Sequence, residues 1–142
     1  MIEIKQLEGF DIPKILELDN KVEKIMGVEI GEWVQFLSQI ASNEHSSLMV
    51  VGAYNEDKFE AYMLISYFKM PPISNALNVI YFFSKMNHYG NMAFFKKVVE
   101  WAYEMGFEKI RMATDDPERF EKWFGFKNTN KILMEYPIIK EE

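Results

Sequence analysis

The sequence predicts an α/β fold, a mixed twisted sheet in the order β-α-α-β-β-β-α-β-α-β with helices on both faces. Three observations carry this. Apolar residues recur at helical spacing up to about Ser42, and from Leu48 the period changes to that of strands. Three strand-like runs then follow one another through turn chemistry, as in an antiparallel meander. The third run leads through a glycine-bearing turn into an amphipathic helix and a further short strand, the pattern of a β-α-β crossover.

Residues 2–7 alternate apolar and polar side chains, as a half-buried strand does. Asp11, Ile12 and Pro13 read as a helix start, because proline in the first turn lacks an N–H that would be unpaired anyway. Ile15, Leu18, Val22 and Ile25 continue that helix to a stop at Gly27. Trp33, Phe36, Leu37 and Ile40 give a second helix ending near Ser42. Residues 48–54 form a buried strand, residues 55–58 a turn, and residues 59–68 a long strand. Met70, Pro71 and Pro72 break the pairing, since proline cannot donate to a ladder. Residues 78–83 are apolar on both faces, as a central strand is. Residues 91–105 are expected to be a helix with Met92, Phe95, Val99 and Ala102 on its apolar face, Trp101 alongside and Gly106 as its stop. Residues 109–114 alternate around Ile110 and Met112, and Asp116-Pro117-Glu118 opens a short helix through Phe124. Residues 131–139 are expected to supply a final strand pair or one long bent strand.

No repeat or linker interrupts the 142 residues, so a single domain over residues 1–142 is expected. An absence of cysteine excludes disulfides, thiolate metal sites and cysteine nucleophiles. His45 and His88 lie in separate segments without a carboxylate pattern, which makes no metal motif. The net charge of −6 argues against a sequence-independent nucleic-acid binder and suits an amine substrate or a cationic partner. No apolar run reaches the length of a membrane span, and the first residues, with Glu3 and Glu8, do not read as a secretory signal. A cytoplasmic protein, monomer or homodimer, is the expectation. Arg111 and Arg119 are the only arginines beside fourteen lysines, hence the only planar bidentate readers of carboxylate or phosphate.

The strand at residues 79–83 runs through Asn87-His88-Tyr89-Gly90-Asn91-Met92 into a helix N-terminus, where free backbone N–H groups and the helix dipole favour an anion. Gly90 and Asn91 also read as ordinary turn and cap residues, and His88 as a solvated loop histidine or a phosphate contact. With the element order, this segment resembles the cofactor-binding half of the GNAT-family N-acetyltransferases. The family pattern is Arg/Gln-x-x-Gly-x-Gly/Ala; Asn87 falls at its first position, Gly90 on its first glycine, and Met92, or Ala93 one residue on, at its second small residue. The resemblance implies acetyl-CoA as acyl donor, with the backbone of His88, Tyr89, Gly90, Asn91, Met92 and Ala93 at the pyrophosphate. It places the pantetheine along Tyr81, Phe82 and Phe83.

It also implies N-acetyltransfer to a small-molecule amine, a protein N-terminus or a lysine. The family's acidic Tyr before Leu-Gly-Phe corresponds here to Glu121 or Phe120, ahead of Phe124-Gly125-Phe126. Phe120, Trp123, Phe124 and Phe126 read as packing residues. Glu60, between Phe59 and Ala61, reads as a solvent-facing strand residue or as the nearest carboxylate for a base, and Tyr81 and Tyr62 as packing residues or as phenols facing the cleft. Catalytic side chains stay unassigned beyond Glu60, Tyr81 and Glu121. Met70 and Met86, with Tyr89, are expected to form an apolar lip. The competing reading is a non-catalytic domain of the same fold that binds a protein partner or acyl-CoA without turnover.

Overall fold

A computed structural model describes residues 1–42, 47–71 and 75–139, so His45, Pro72 and Ile73 lie outside the described residues. Five strands form one sheet in the order β1-β2-β3-β4-β5: Ile2–Gln6, Leu48–Asn55, Lys58–Ser66, Ala76–Ser84 and Lys109–Met112. The first four pair antiparallel, and β5 lies parallel to β4. The β2–β3 hairpin closes through Glu56 and Asp57, both at positive φ (49° and 71°), the two-residue turn whose twist matches that of the strands.

Helices cover both faces. On one, α1 (Ile15–Leu18), α2 (Val22–Met26) and α3 (Ile30–Ala41) bury Ile15, Leu18, Val22, Trp33 and Leu37 against Tyr54, Tyr62, Leu64, Tyr81 and Phe83. On the other, α4 (His88–Glu104) makes the crossover between β4 and β5 and buries Phe94, Val98 and Ala102 against Ala53, Met63, Ile65, Leu77 and Val79. The last helix, α5 (Pro117–Phe124), buries no residue fully.

Four sequence expectations need correction. The single first helix is broken: a 3-10 turn, Ile12–Lys14, leads into α1, and Asp19 is extended (φ −95°, ψ 110°) before α2 begins. Asp19 Oδ1 accepts the N–H groups of Lys21 and Val22 at 2.8 and 3.1 Å, so its side chain caps the next turn and stops the previous one. Helix α4 begins at His88, a turn earlier than residue 91, and its buried stripe is Phe94, Val98 and Ala102. Met92 and Val99 consequently face solvent, and Phe95 turns toward α5.

The strand expected over residues 131–139 does not form, and Ile132, Leu133, Met134, Tyr136, Ile138 and Ile139 are 82–94% exposed. Asn130 turns the chain at positive φ (56°), Pro137 removes a ladder donor, and β5 offers an edge of only four residues. Met70 and Met86 do not share a lip. Ser66 pairs with Asn78 and Ala61 with Ser84, so the two methionines lie beyond opposite ends of the β3–β4 pair.

Candidate active site

The site is made by a parting of strands. β4 and β5 pair only from Ala76↔Lys109 to Val79↔Met112, whereas β4 continues to Ser84 alongside β3. Beyond Val79 the β5-facing edge of β4 therefore has no strand partner among the described residues. A bulge sits at the parting point: Ile65 pairs with Val79 and Leu64 with Tyr81, leaving Ile80 as the extra residue, 43% exposed. A bulge bends its strand and raises the local twist, which turns the end of β4 away from β5. The doubly apolar run of residues 79–83 conceals this bulge in the sequence. Tyr81 and Phe83 face α1–α3, while Phe82 packs edge-on to Phe94 of α4 at 5.9 Å.

The chain turns from β4 into α4 through a small set of hydrogen bonds. Ser84 Oγ accepts the Met86 N–H at 2.9 Å and donates to Asn91 Oδ1 at 2.5 Å, which ties the strand end to the first turn of the helix. Asn87, not Asn91, is the cap: its Oδ1 accepts the Gly90 N–H at 2.9 Å and its carbonyl accepts that of Asn91 at 3.0 Å. The N–H groups of His88 and Tyr89 find no partner among the described residues. They are two of the donors this helix end leaves for an anion. Gly90 is buried, and a Cβ there would lie 2.9 Å from Met86 Cβ, 3.0 Å from Met86 Sδ and 3.3 Å from Ile2 Cδ1. The close approach that requires glycine is thus that of the protein's own Met86. Met92 is 37% exposed and Ala93 is also exposed, and neither lines the cleft below. The His88 ring meets Trp123 of α5 edge-on with centroids 4.1 Å apart, which joins the two helices.

A cleft of about 200 Å³ opens at the end of β4. Phe82, Phe83 and Ser84 form its floor, with Met86 and Asn91 beside them. Lys21 and Ile25 reach it from the α2 segment, and Arg119, Phe120 and Phe124 from α5. Behind it, where β4 and β5 part, only about 10 Å³ is left among Val79, Phe82, Met112, Phe120, Phe124 and Phe126. The aromatics of α5 fill that point. Phe124 lies 5.5 Å from Phe95 and 5.5 Å from Phe120, and Phe126 5.1 Å from Phe95, in keeping with the packing role expected of them.

The candidate catalytic side chains are scattered. Tyr81 Oη donates to Asp19 Oδ2 at 2.8 Å, Tyr62 Oη donates to the same oxygen, and Trp33 Nε1 donates to Tyr62 Oη at 3.0 Å. Burial first, then the hydrogen bond to Asp19, holds both phenols well above their ordinary pKa. Tyr81 accordingly keeps its proton and has it committed to Asp19. Glu60 is half-buried, its carbonyl accepting the Lys85 N–H at 2.9 Å, and Glu121 is exposed on α5. Neither lines the cleft. Asp19, which sequence reasoning did not single out, organises the buried polar cluster. Its one sequence signal is a carboxylate and an asparagine, Asp19-Asn20, inside an otherwise helical pattern. Among the described residues no group of three His, Cys, Asp or Glu could hold a metal ion, and no helix is long and apolar enough to cross a membrane.

Several solved structures with this architecture are acetyltransferases. A probable acetyltransferase superposes with a TM-score of 0.76 at 11% identity, over 97% of this chain and 99% of the other. An aminoglycoside N-acetyltransferase in complex with CoA gives 0.74 at 11% identity, over 96% and 95%. A ribosomal-protein-alanine N-acetyltransferase from Brucella melitensis biovar Abortus 2308 gives 0.69 at 16% identity, over 99% and 100%. No sequence-family model matches the chain, and no curated protein matches it in sequence. At these identities the likeness is one of fold, and the fold is that of the GNAT acetyltransferases.

Proposed function

We propose that this protein, as one domain over residues 1–142, is an acetyl-CoA-dependent N-acetyltransferase. The observation that carries the reading is the parting of β4 from β5 beyond Val79, next to a helix N-terminus with two unpaired N–H groups. The unpartnered edge of β4 at Tyr81, Phe82 and Phe83 suits the amide-rich pantetheine arm, which needs backbone donors and acceptors rather than particular side chains. The His88 and Tyr89 N–H groups suit the pyrophosphate, at the positive end of the α4 dipole. Gly90 serves this site indirectly, by letting Met86 pack under the turn.

In the reaction the amine nitrogen attacks the thioester carbonyl carbon. A C–N bond forms, the C–S bond breaks, the amine loses one proton and the departing thiolate takes one up. No carboxylate lines the cleft and the Tyr81 proton is held by Asp19, so the acceptor enters as the free amine and its proton leaves to water. What the chain contributes is placement of the two reactants, which alone removes a large part of the barrier.

Thermal unfolding with and without acetyl-CoA tests the reading. Ligand at about 100 times its dissociation constant adds about 2.7 kcal/mol, a rise of several degrees for a chain of this size. Release of free thiol in the presence of an amine then separates an enzyme from a binding domain. An unchanged melting temperature at millimolar acetyl-CoA, with no heat of binding, removes the proposal.

A further inference from the structure

We propose that the walls of the cleft, Lys21 and Arg119, receive an oxyanion carried by the acyl acceptor, so that the acceptor is a small amino-acid-like molecule and not a polycationic amine. The identity of that ligand as an acceptor rests on the acetyltransferase reading above. The cleft is cationic in an acidic chain: 22 acidic residues face 16 basic ones overall, yet two bases and no acid line this cavity. Neither Lys21 nor Arg119 enters an ion pair among the described residues, whereas Lys14 pairs with Asp11 and Lys97 with Glu100.

Both residues are anchored through their backbones. The Lys21 N–H donates to Asp19 Oδ1 at 2.8 Å, and the Arg119 N–H donates to Asp116 Oδ1 at 3.3 Å in the cap of α5. Arginine's planar fork matches a carboxylate or phosphate bidentately, and lysine adds a point charge from the α2 segment. The phenyl rings of Phe82, Phe120 and Phe124 make the walls apolar, which strengthens the field inside a cleft.

Position and size favour the acceptor over the donor as the source of that oxyanion. Lys21 precedes α2, on the face of the sheet opposite α4, and the donor's phosphates already have the His88 and Tyr89 N–H groups, whose residues do not line the cleft although Asn91 of the same turn does. Phe82 and Phe83, the edge proposed for the pantetheine, line the same cleft, so an acceptor held by Lys21 and Arg119 shares its roughly 200 Å³ with the thioester and has to be small. A polycationic amine would meet like charge from both bases, which costs affinity and excludes it.

Acetyl transfer to matched acceptors that differ by one carboxylate supplies the test: L-lysine against cadaverine, L-phenylalanine against phenethylamine, and an aminoglycoside as the polycation. The carboxylate member is expected to be preferred by about tenfold or more in kcat/KM, because an ion-pairing site rejects the analogue that leaves it empty. In Arg119→Gln that preference should vanish through KM, with kcat and the acetyl-CoA dissociation constant changed less than about twofold. Equal use of both members overturns the inference. So does Arg119→Gln weakening acetyl-CoA while sparing the acceptors, which would assign the oxyanion to the donor. Should acetyl-CoA not bind at all, the acetyltransferase reading fails, and titration of N-acetyl-L-phenylalanine followed at the Arg119 Nε–H resonance still decides. A saturable shift, weakened in Lys21→Gln, keeps an oxyanion site there, and no shift removes it.

Discussion

Tyr81, on the strand that borders the proposed acyl site, donates its phenolic proton to Asp19 at 2.8 Å beneath the first helices. Four donors converge on that carboxyl: the phenols of Tyr81 and Tyr62 and the N–H groups of Lys21 and Val22. Asp19→Ala would strand three of them in a buried environment and the Lys21 N–H at its edge, and a loss of about 3 kcal/mol or more is expected in urea unfolding. Tyr81→Phe removes one donor and leaves the others paired, so about 1 kcal/mol is expected, with turnover kept within a few-fold. A hundredfold fall in kcat for Tyr81→Phe without a stability change would make the phenol a proton donor after all.

Stability should fall at both ends of the pH scale, for opposite reasons. Burial, then the hydrogen bonds to Asp19, raises Tyr62 and Tyr81; burial, then the bond to Asp11, raises Tyr54. Tyrosines of the unfolded chain ionise near pH 10 while the folded ones keep their protons. Their contribution is therefore complete below about pH 10 and lost as pH rises beyond it, by up to about 1.4 kcal/mol per pH unit for each phenol. Asp11 behaves in the other sense. Burial pushes its carboxyl upward, but the bonds from Tyr54 Oη at 2.6 Å and the Glu8 N–H, with Lys5 and Lys14 nearby, leave it below the usual value. Its contribution is present above about pH 4 and lost as pH falls through the folded value. Urea midpoints from pH 2 to 11 should trace both limbs, and Tyr81→Phe should flatten the alkaline one.

The requirement for glycine at position 90 comes from packing. Alanine is the better helix residue by about 1 kcal/mol, yet its Cβ would fall 2.9 Å from Met86 Cβ and 3.3 Å from Ile2 Cδ1. Overpacking costs about 1–3 kcal/mol, so Gly90→Ala should be destabilising by about 1 kcal/mol net. Met86→Ala added to it should restore little, because the tightest contact is to a Cβ that alanine retains. Full recovery in the double variant would place the constraint on the Met86 thioether instead.

What could be read from the sequence was what depends on period and local turn chemistry. The strand at residues 48–54, the turn through Glu56 and Asp57 and the helix stop after Met105 follow from alternation and from punctuation. Long-range pairing hid the rest. Asp19 caps the next turn through Oδ1, and what holds its carboxyl there is the pair of phenols across the core, Tyr62 and Tyr81, 43 and 62 residues away. In α4 the apolar residues run almost all the way round, so periodicity could not choose Phe94 and Val98 over Met92 and Val99. The run from Lys131 to Ile139 has strand composition but adds no strand to β5. At the site, the turn at Gly90 was legible and the Lys21–Arg119 walls were not, since they meet only through the tertiary fold.

Asn87 allows the helix cap and the anion site to be tested separately. Its amide oxygen caps α4 through the Gly90 N–H, next to the unpaired N–H groups of His88 and Tyr89. Aspartate caps as well as asparagine, and its charge favours a helix N-terminus by about 0.3–1 kcal/mol, so Asn87→Asp should melt at the same temperature or slightly higher. The same charge would stand within a turn of the proposed pyrophosphate position. At 6 Å and an effective dielectric of 40, two unit charges repel by about 1.4 kcal/mol, so acetyl-CoA should bind roughly tenfold more weakly. Asn87→Ala should do the reverse: it loses about 1 kcal/mol of stability with the cap, releases the Gly90 N–H and adds no charge, so binding should hold. Calorimetric titration of acetyl-CoA into the three proteins separates these effects. Equal affinity in Asn87→Asp and the parent protein would mean that the phosphates lie elsewhere.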